Sequence, residues 1–303
     1  MRALSTRTLY TAAAVSLSAI LLTGCGTADN NAATATTSAV SQPDQPSADG
    51  KGFYAPVNGL RLYYEVHGSG RPLILVHGGL STVDSTFGAL LPELAETRKV
   101  IAVELQGHGH TADIDRPLRY QSMADDVAGL IGHLNLGKAD VLGYSLGGGV
   151  ALQLAARNPD LVNKLIVTSA PYRSDGWLPE TRAGMAAMNP EAMLDTPIHA
   201  VYAQSAPNPS DWPALVTKTR QLLSEDYDWT TDLAAIQAPA LLVTAESDAL
   251  SRAHAEEMVT RLTGAGNGAS TLAVVPGTTH YDIMYRADLL LPLFEPFLGT
   301  ASS

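Results

Sequence analysis

Residues 139–151 read Ala-Asp-Val-Leu-Gly-Tyr-Ser-Leu-Gly-Gly-Gly-Val-Ala. Asp140-Val141-Leu142 closes an apolar, strand-like run. From Leu146 the apolar residues Leu146, Val150, Leu152 and Leu154 continue as a helix that Asn158-Pro159 stops. Four glycines fall within the seven residues 143–149, although strand and helix interiors both disfavour glycine. A serine on a sharp strand-to-helix turn accounts for them, because neighbouring backbone leaves no room for side chains two residues before and after it. The helix that starts beyond Ser145 would aim unpaired N–H groups, and the positive end of its dipole, at any oxyanion formed there.

On either side of this stretch lie Leu73-Ile74-Leu75-Val76, Val100-Ile101-Ala102-Val103, Leu165-Ile166-Val167, Leu241-Leu242-Val243 and Leu272-Ala273-Val274-Val275. These runs are continuous rather than alternating, as strands covered on both faces of a parallel sheet must be. Leu62-Tyr63-Tyr64-Glu65-Val66 alternates more and reads as an edge strand. Met123, Val127, Leu130, Ile131 and Leu134 recur at helical spacing. The alternation predicts an α/β fold: a mostly parallel central sheet flanked by helices on both faces. It breaks between Tyr172 and Leu233, where prolines and tryptophans separate Ala-, Met- and Leu-rich pieces without a strand. An all-helical cap insertion is expected there. The sheet pattern resumes at Ala240, and a closing helix from Asp282 is expected to be interrupted by Pro292 and Pro296.

A serine hydroxyl needs a base within hydrogen-bond reach, and the base needs an acid to hold its tautomer. His280 follows the last strand in Pro276-Gly277-Thr278-Thr279-His280, and Asp248 follows another in Ala245-Glu246-Ser247-Asp248. Glu246 and Asp282 compete with Asp248 for the acid's place. Strand carboxyl ends border the crevice where open α/β sheets bind ligands, so Ser145, Asp248 and His280 are all expected to project there.

With these residues the chain from about Phe53 to Leu298 resembles the α/β-hydrolase-fold enzymes, in the order nucleophile, acid, histidine. His77-Gly78-Gly79 is similar to that family's oxyanion loop, and Gly107-His108-Gly109 to a second family motif. The resemblance implies an oxyanion hole from the N–H groups of Gly79 and Leu146, with Leu80 beside them. It makes 172–233 a cap over a substrate pocket, for which Tyr144, Leu80 and Trp177 are candidates. Tyr172, Tyr202, Trp212, Met185, Met188 and Met193 are further apolar candidates, most of them expected to pack the cap against itself. Two departures stand out. Glu104-Leu105-Gln106-Gly107-His108-Gly109 lacks the family's usual arginine, and a serine nucleophile disfavours the dehalogenase and epoxide hydrolase chemistries that use aspartate.

The expected activity is hydrolysis of carboxylic esters, with aryl esters and lactones included, through an acyl-enzyme and with no metal or organic cofactor. Carbon–carbon bond hydrolysis and perhydrolysis use the same residue types. A metal site on His108-x-His110 and a non-catalytic, lipid-tethered binding protein are the rival readings. The expected partner is a small-molecule ester. No obligate protein partner is predicted.

The first residues carry Arg2 and Arg7, an uncharged apolar segment over Leu9 to Leu22, then Leu22-Thr23-Gly24-Cys25. The apolar part is too short for a bilayer of ~30 Å and has the layout of an export signal. Its end resembles the bacterial lipobox, in which the cysteine is lipidated, and Cys25 is the only cysteine. The resulting division is a signal peptide over 1–24, a lipid-anchored flexible linker over 25–50, a core over 51–171 and 234–303, and the cap over 172–233. The expected location is the bacterial cell envelope, with the membrane reached through lipid on Cys25. Net charge is −11, and about −13 without the two arginines of the signal, which excludes a basic face for nucleic acid or anionic lipid.

Overall fold

The computed structural model describes residues 44–48, 50–264 and 270–299. The signal segment, Cys25 and most of the linker lie outside the described residues. The strands are β1 (Gln45–Pro46), β2 (Phe53–Val57), β3 (Leu60–His67), β4 (Arg71–Val76), β5 (Arg98–Val103), β6 (Ala139–Tyr144), β7 (Val162–Thr168), β8 (Ala240–Ser247) and β9 (Thr271–Thr279). They form one sheet in the order β1-β2-β3-β5-β4-β6-β7-β8-β9. Every neighbour pair from β5 to β9 is parallel, while β1, β2 and β3 join antiparallel.

Why the central runs are apolar without a break is visible in where their side chains go. Ile74, Val76, Ile101 and Val103 face one core, with Met123 and Val127 of α3 (Tyr120–His133) and Val150 and Leu154 of α4 (Leu146–Arg157). Their neighbours Leu73, Leu75, Val100 and Ala102 face a second core, with Phe87 of α1 (Val83–Phe87), Leu94 of α2 (Leu91–Thr97) and Leu290 and Phe294 of α10 (Ala287–Leu298). Successive strand residues point to opposite faces, so a sheet covered on both needs every position apolar.

Four expectations are corrected. β9, expected among the strands covered on both faces, is the outer strand beyond β8, and of its apolar run Leu272–Val275 only Val275 is fully buried. β3 is not an edge: it pairs with β2 and β5, because Phe53–Val57, short and interrupted by Pro56, adds a strand outside it. The tether is shorter than expected, since Gln45–Pro46 already joins the sheet and the Asp44 carboxylate accepts hydrogen bonds from Tyr64 and from His133 Nε2 (2.6 Å to the latter). Its Pro46 sits on an edge strand, the place a sheet tolerates proline. The last helix begins at Ala287, after a short 3-10 turn at Ile283–Tyr285, and contains both prolines without interruption. Pro292 and Pro296 are exposed, while Leu290, Phe294 and Leu298 bury the opposite stripe. Burial of that stripe outweighs the hydrogen bonds lost at the two prolines.

Between Tyr172 and Leu233 every described element is a helix: α5 (Pro179–Ala186), α6 (Pro197–Ser205), α7 (Trp212–Ser224) and α8 (Thr230–Leu233), with short 3-10 turns. Trp212, Leu215, Val216 and Leu222 of α7 enter the first core, which seats the insertion over the carboxyl ends of the strands. α9 (Arg252–Gly264) follows β8. No described helix is long and apolar enough to cross a membrane.

Candidate active site

Ser145 has φ 52° and ψ −120°, a backbone conformation that L-residues rarely adopt and that turns its hydroxyl away from the strand. The flanking glycines are steric necessities. A β-carbon on Gly143 would lie 2.2 Å from the Gly147 carbonyl oxygen, and one on Gly147 would lie 2.2 Å from Val76 O and 2.3 Å from His77 O. Tight contact between α4 and the end of β4 therefore forces the strained turn, and the turn exposes the serine.

His280 and Asp248 meet Ser145 across long stretches of chain. Ser145 Oγ lies 3.1 Å from His280 Nε2, and His280 Nδ1 lies 2.9 Å from Asp248 Oδ1. A carboxylate can only accept, so Nδ1 carries the proton and Nε2 is left to accept from the serine. Burial works to raise the Asp248 carboxyl, but His280, the Ser169 hydroxyl and the Ala245 N–H outweigh it and hold the acid below its ordinary value. The two competing acids have other tasks: Glu246 accepts from Gly277 N–H at 2.9 Å and Asp282 from Thr279 N–H at 2.6 Å. Both brace the loop that carries His280.

Gly79, Leu80, Tyr144, Ser145, Leu146 and His280 all border one cavity of about 390 Å³. Leu146 is the first residue of α4, so its N–H has no intrahelical acceptor. Leu80, at φ 53°, belongs to the loop after β4 that carries Gly79 to the serine. Met185, Met188 and Met193 line the cavity. Tyr172, Tyr202 and Trp212 are buried in the core instead. Trp177 is not in the cavity wall: it packs with Leu250 and Ala255 and sets its indole at 78° to the His280 ring, 5.6 Å between centroids.

What sequence reasoning missed is the supports: Ser169 as a residue, and the bracing roles of Tyr144 and His77. Ser169, at φ 54° directly after β7, donates to Asp248 Oδ2 at 2.6 Å. Its place at a strand's carboxyl end was the available signal. Tyr144 donates its hydroxyl to the His280 carbonyl oxygen at 2.5 Å. His77 is fully buried, accepts the Leu105 N–H on Nε2 at 3.1 Å and donates Nδ1–H to Gly78 O at 2.7 Å. It thereby ties the Gly78-Gly79 loop to the segment after β5. In that segment Gln106 takes the bracing position expected of arginine. Its side-chain N–H₂ reaches Asp113 at 2.7 Å and Arg116 O at 3.1 Å. Glu104 accepts from Val83 N–H at 3.2 Å and from the His110 backbone N–H at 2.5 Å. His108 holds Gln106 O at 2.9 Å and His110 holds Glu104 at 2.8 Å, so each ring serves its own loop contact. No group of three metal-ligating side chains converges among the described residues.

Burial and the neighbouring His108 hold His77 down to about 3, and burial holds His254, under the start of the insertion, down to about 4. Both are neutral in the folded chain and protonate near 6.5 once unfolded. A depressed histidine favours the fold fully above its unfolded value and loses that contribution as pH falls. Stability should therefore fall as pH drops from 6.5 towards 4, by on the order of 1 kcal/mol per pH unit for each histidine. Urea titrations at stepped pH measure the slope, and His254→Gln should make it shallower.

The family model for the alpha/beta hydrolase family matches residues 73–292. Among curated proteins, the chain is 39% identical over 116 residues to a soluble epoxide hydrolase of a Corynebacterium species, covering 37% of this chain and 39% of that protein. It is 34% identical over 112 residues to a 2-hydroxymuconate semialdehyde hydrolase of a Pseudomonas species, covering 36% and 40%. The chain thus matches well under half the length of these relatives. Among solved structures, E-2-(acetamidomethylene)succinate hydrolase superposes with a TM-score of 0.67 at 25% identity, covering 82% of this chain and 98% of that one. A thermophilic esterase from Thermogutta terrifontis gives 0.64 at 25%, covering 81% and 96%. With the matched span running from within β4 to within α10, and the same fold in both solved neighbours, the chain belongs to the alpha/beta hydrolase family.

Proposed function

We propose that the protein is a serine hydrolase that cleaves carboxylic esters through an acyl-enzyme. One observation carries the reading: Ser145 Oγ is within hydrogen-bond reach of His280 Nε2, itself held by Asp248, on the wall of an apolar cavity. Ser145 Oγ attacks the ester carbon while His280 Nε2 takes its proton. Asp248 keeps the Nδ1 tautomer and stabilises the imidazolium that forms. The N–H groups of Gly79 and Leu146 receive the oxyanion, an interaction whose loss typically costs ~3 kcal/mol of barrier. As the carbon–oxygen bond breaks, His280 protonates the departing alcohol. Water then enters, His280 removes its proton, and the acid leaves with Ser145 restored. Every proton moves between His280 and an oxygen within the cavity, so the cycle needs no further group.

The esterase among the solved neighbours supports ester cleavage. The semialdehyde hydrolase supports carbon–carbon bond cleavage with the same residues as the second reading. Labelling with an alkyl fluorophosphonate tests the nucleophile, with the modified peptide expected to contain Ser145. Turnover of a panel of aryl esters, alkyl esters and lactones then tests the bond class. A folded sample that neither labels nor hydrolyses any of them would leave a binding protein as the better account.

Tyr144 offers a finer check on the geometry, since its hydroxyl anchors the His280 backbone while its ring walls the cavity. Tyr144→Phe keeps the ring and releases the anchor. The expected result is a kcat five- to ten-fold lower, about the worth of one hydrogen bond (~1 kcal/mol), with KM nearly unchanged.

A further inference from the structure

Resting on the ester reading, we propose that this cavity selects uncharged substrates with an aliphatic acyl arm and rejects those that carry a carboxylate on that arm. The walls beyond the reacting groups are mainly Leu80, Met185, Met188, Met193, Ile198 and Leu223, and the one hydroxyl among them on α5, that of Thr181, is turned to the Ala249 carbonyl at 3.4 Å. Methionine and leucine side chains satisfy methylenes and offer nothing to a charged oxygen. Among the described residues that line this cavity and the adjoining one of about 220 Å³, there is no lysine or arginine. The one acid on the wall is Glu180, exposed on α5 at the mouth.

Of the three cations on the same elements, two are paired with acids and the third holds a backbone carbonyl behind the wall. On α7, whose Leu223 forms part of the wall, Lys218 is held by Asp113 at 2.6 Å and by the carbonyls of Ile114 and Arg116 at 2.9 Å each. Arg220, on the same helix, donates to the Met188 carbonyl at 3.2 Å. Arg182 of α5 is paired with Asp226 at 2.6 Å. A carboxylate entering among the methionines would give up its water without gaining a lining cation to pair with, and would pass Glu180 on the way.

The rim points the same way. Ile198 (43% exposed) and Tyr281 (79%) border the cavity, Tyr285 (61%) borders the adjoining one, and Leu194 (48%) lies three residues before α6. Three of the five exposed large hydrophobic residues described in the chain therefore border this cavity or the adjoining one. An apolar chain that outgrows the cavity meets further apolar surface.

The distinction matters because E-2-(acetamidomethylene)succinate hydrolase, which shares this fold, is named for a dicarboxylate. The two chains share the sheet and differ, by this inference, in what the insertion presents to the substrate.

The test compares p-nitrophenyl octanoate with the mono-p-nitrophenyl ester of octanedioic acid, which has equal chain length and a terminal carboxylate. The kcat/KM for the acid ester should be lower by on the order of a hundred-fold or more. Glu180→Lys, which places a cation at the mouth, should shrink that ratio by roughly ten-fold. Labelling of Ser145 by the alkyl fluorophosphonate together with equal hydrolysis of the two esters would overturn the selectivity alone. No labelling at all would bring down the hydrolase reading, and this inference with it.

Discussion

Ser145→Ala should abolish ester turnover, lowering kcat by roughly 10⁴- to 10⁶-fold, and should end fluorophosphonate labelling altogether. The size follows from the proposed mechanism: alanine keeps the strained turn, the cavity and the N–H groups, but removes the atom proposed to form the acyl bond. What survives is the modest rate that binding and an oxyanion hole supply by themselves. The fold should be nearly indifferent, because the Ser145 hydroxyl makes its one described side-chain bond with His280. An unchanged urea midpoint, within ~1 kcal/mol, beside lost activity would place the effect in the chemistry. A variant that still hydrolyses esters at a tenth of the wild-type rate would move the nucleophile elsewhere.

Gly147→Ala should be among the most damaging single-methyl additions to stability. Its β-carbon would meet two backbone oxygens, of Val76 and His77, at 2.2 and 2.3 Å. No side chain is there to rotate away, so α4 must lift from the end of β4. A loss of roughly 3 kcal/mol or more is expected, read from the urea midpoint at constant slope. The same substitution at Gly132 should have the opposite sign. That glycine lies inside α3 with nothing within 4 Å of its would-be β-carbon. Alanine there should stabilise the chain by roughly 0.5–1 kcal/mol, through helix propensity alone. A common sign for the two variants would contradict the packing argument for the glycine-serine turn.

How much of this was legible in the chain differs between elements for identifiable reasons. The strands β4 to β8 announced themselves because burial on both faces leaves few positions free to be polar, whereas β9, the outer strand, showed only as an apolar run and is half-covered. β2 did not: Phe53–Val57 is short, half-exposed and broken by a proline, so its place outside β3 rests on pairing rather than on composition. The prolines of α10 misled for the converse reason. A local penalty was visible in the sequence, whereas the compensating burial of Leu290, Phe294 and Leu298 was a tertiary fact.

The site divides along the same line. Residue type and position after a strand singled out Ser145, Asp248 and His280, because chemistry restricts which side chains can act and parallel topology restricts where they stand. Ser169, Tyr144 and His77 were opaque as supports, since any serine, tyrosine or histidine reads alike until its partner 28 to 136 residues away is known. Trp177 was misjudged as a pocket wall because its large apolar surface could equally face a ligand or a neighbouring helix. By itself the sequence determined the alternation of elements and the strained turn at Ser145, both being short-range consequences of sterics and periodicity. Only the tertiary structure decided which acid faces His280, which methionines line the cavity and which cations are paired with acids, because those depend on distances that no local pattern encodes.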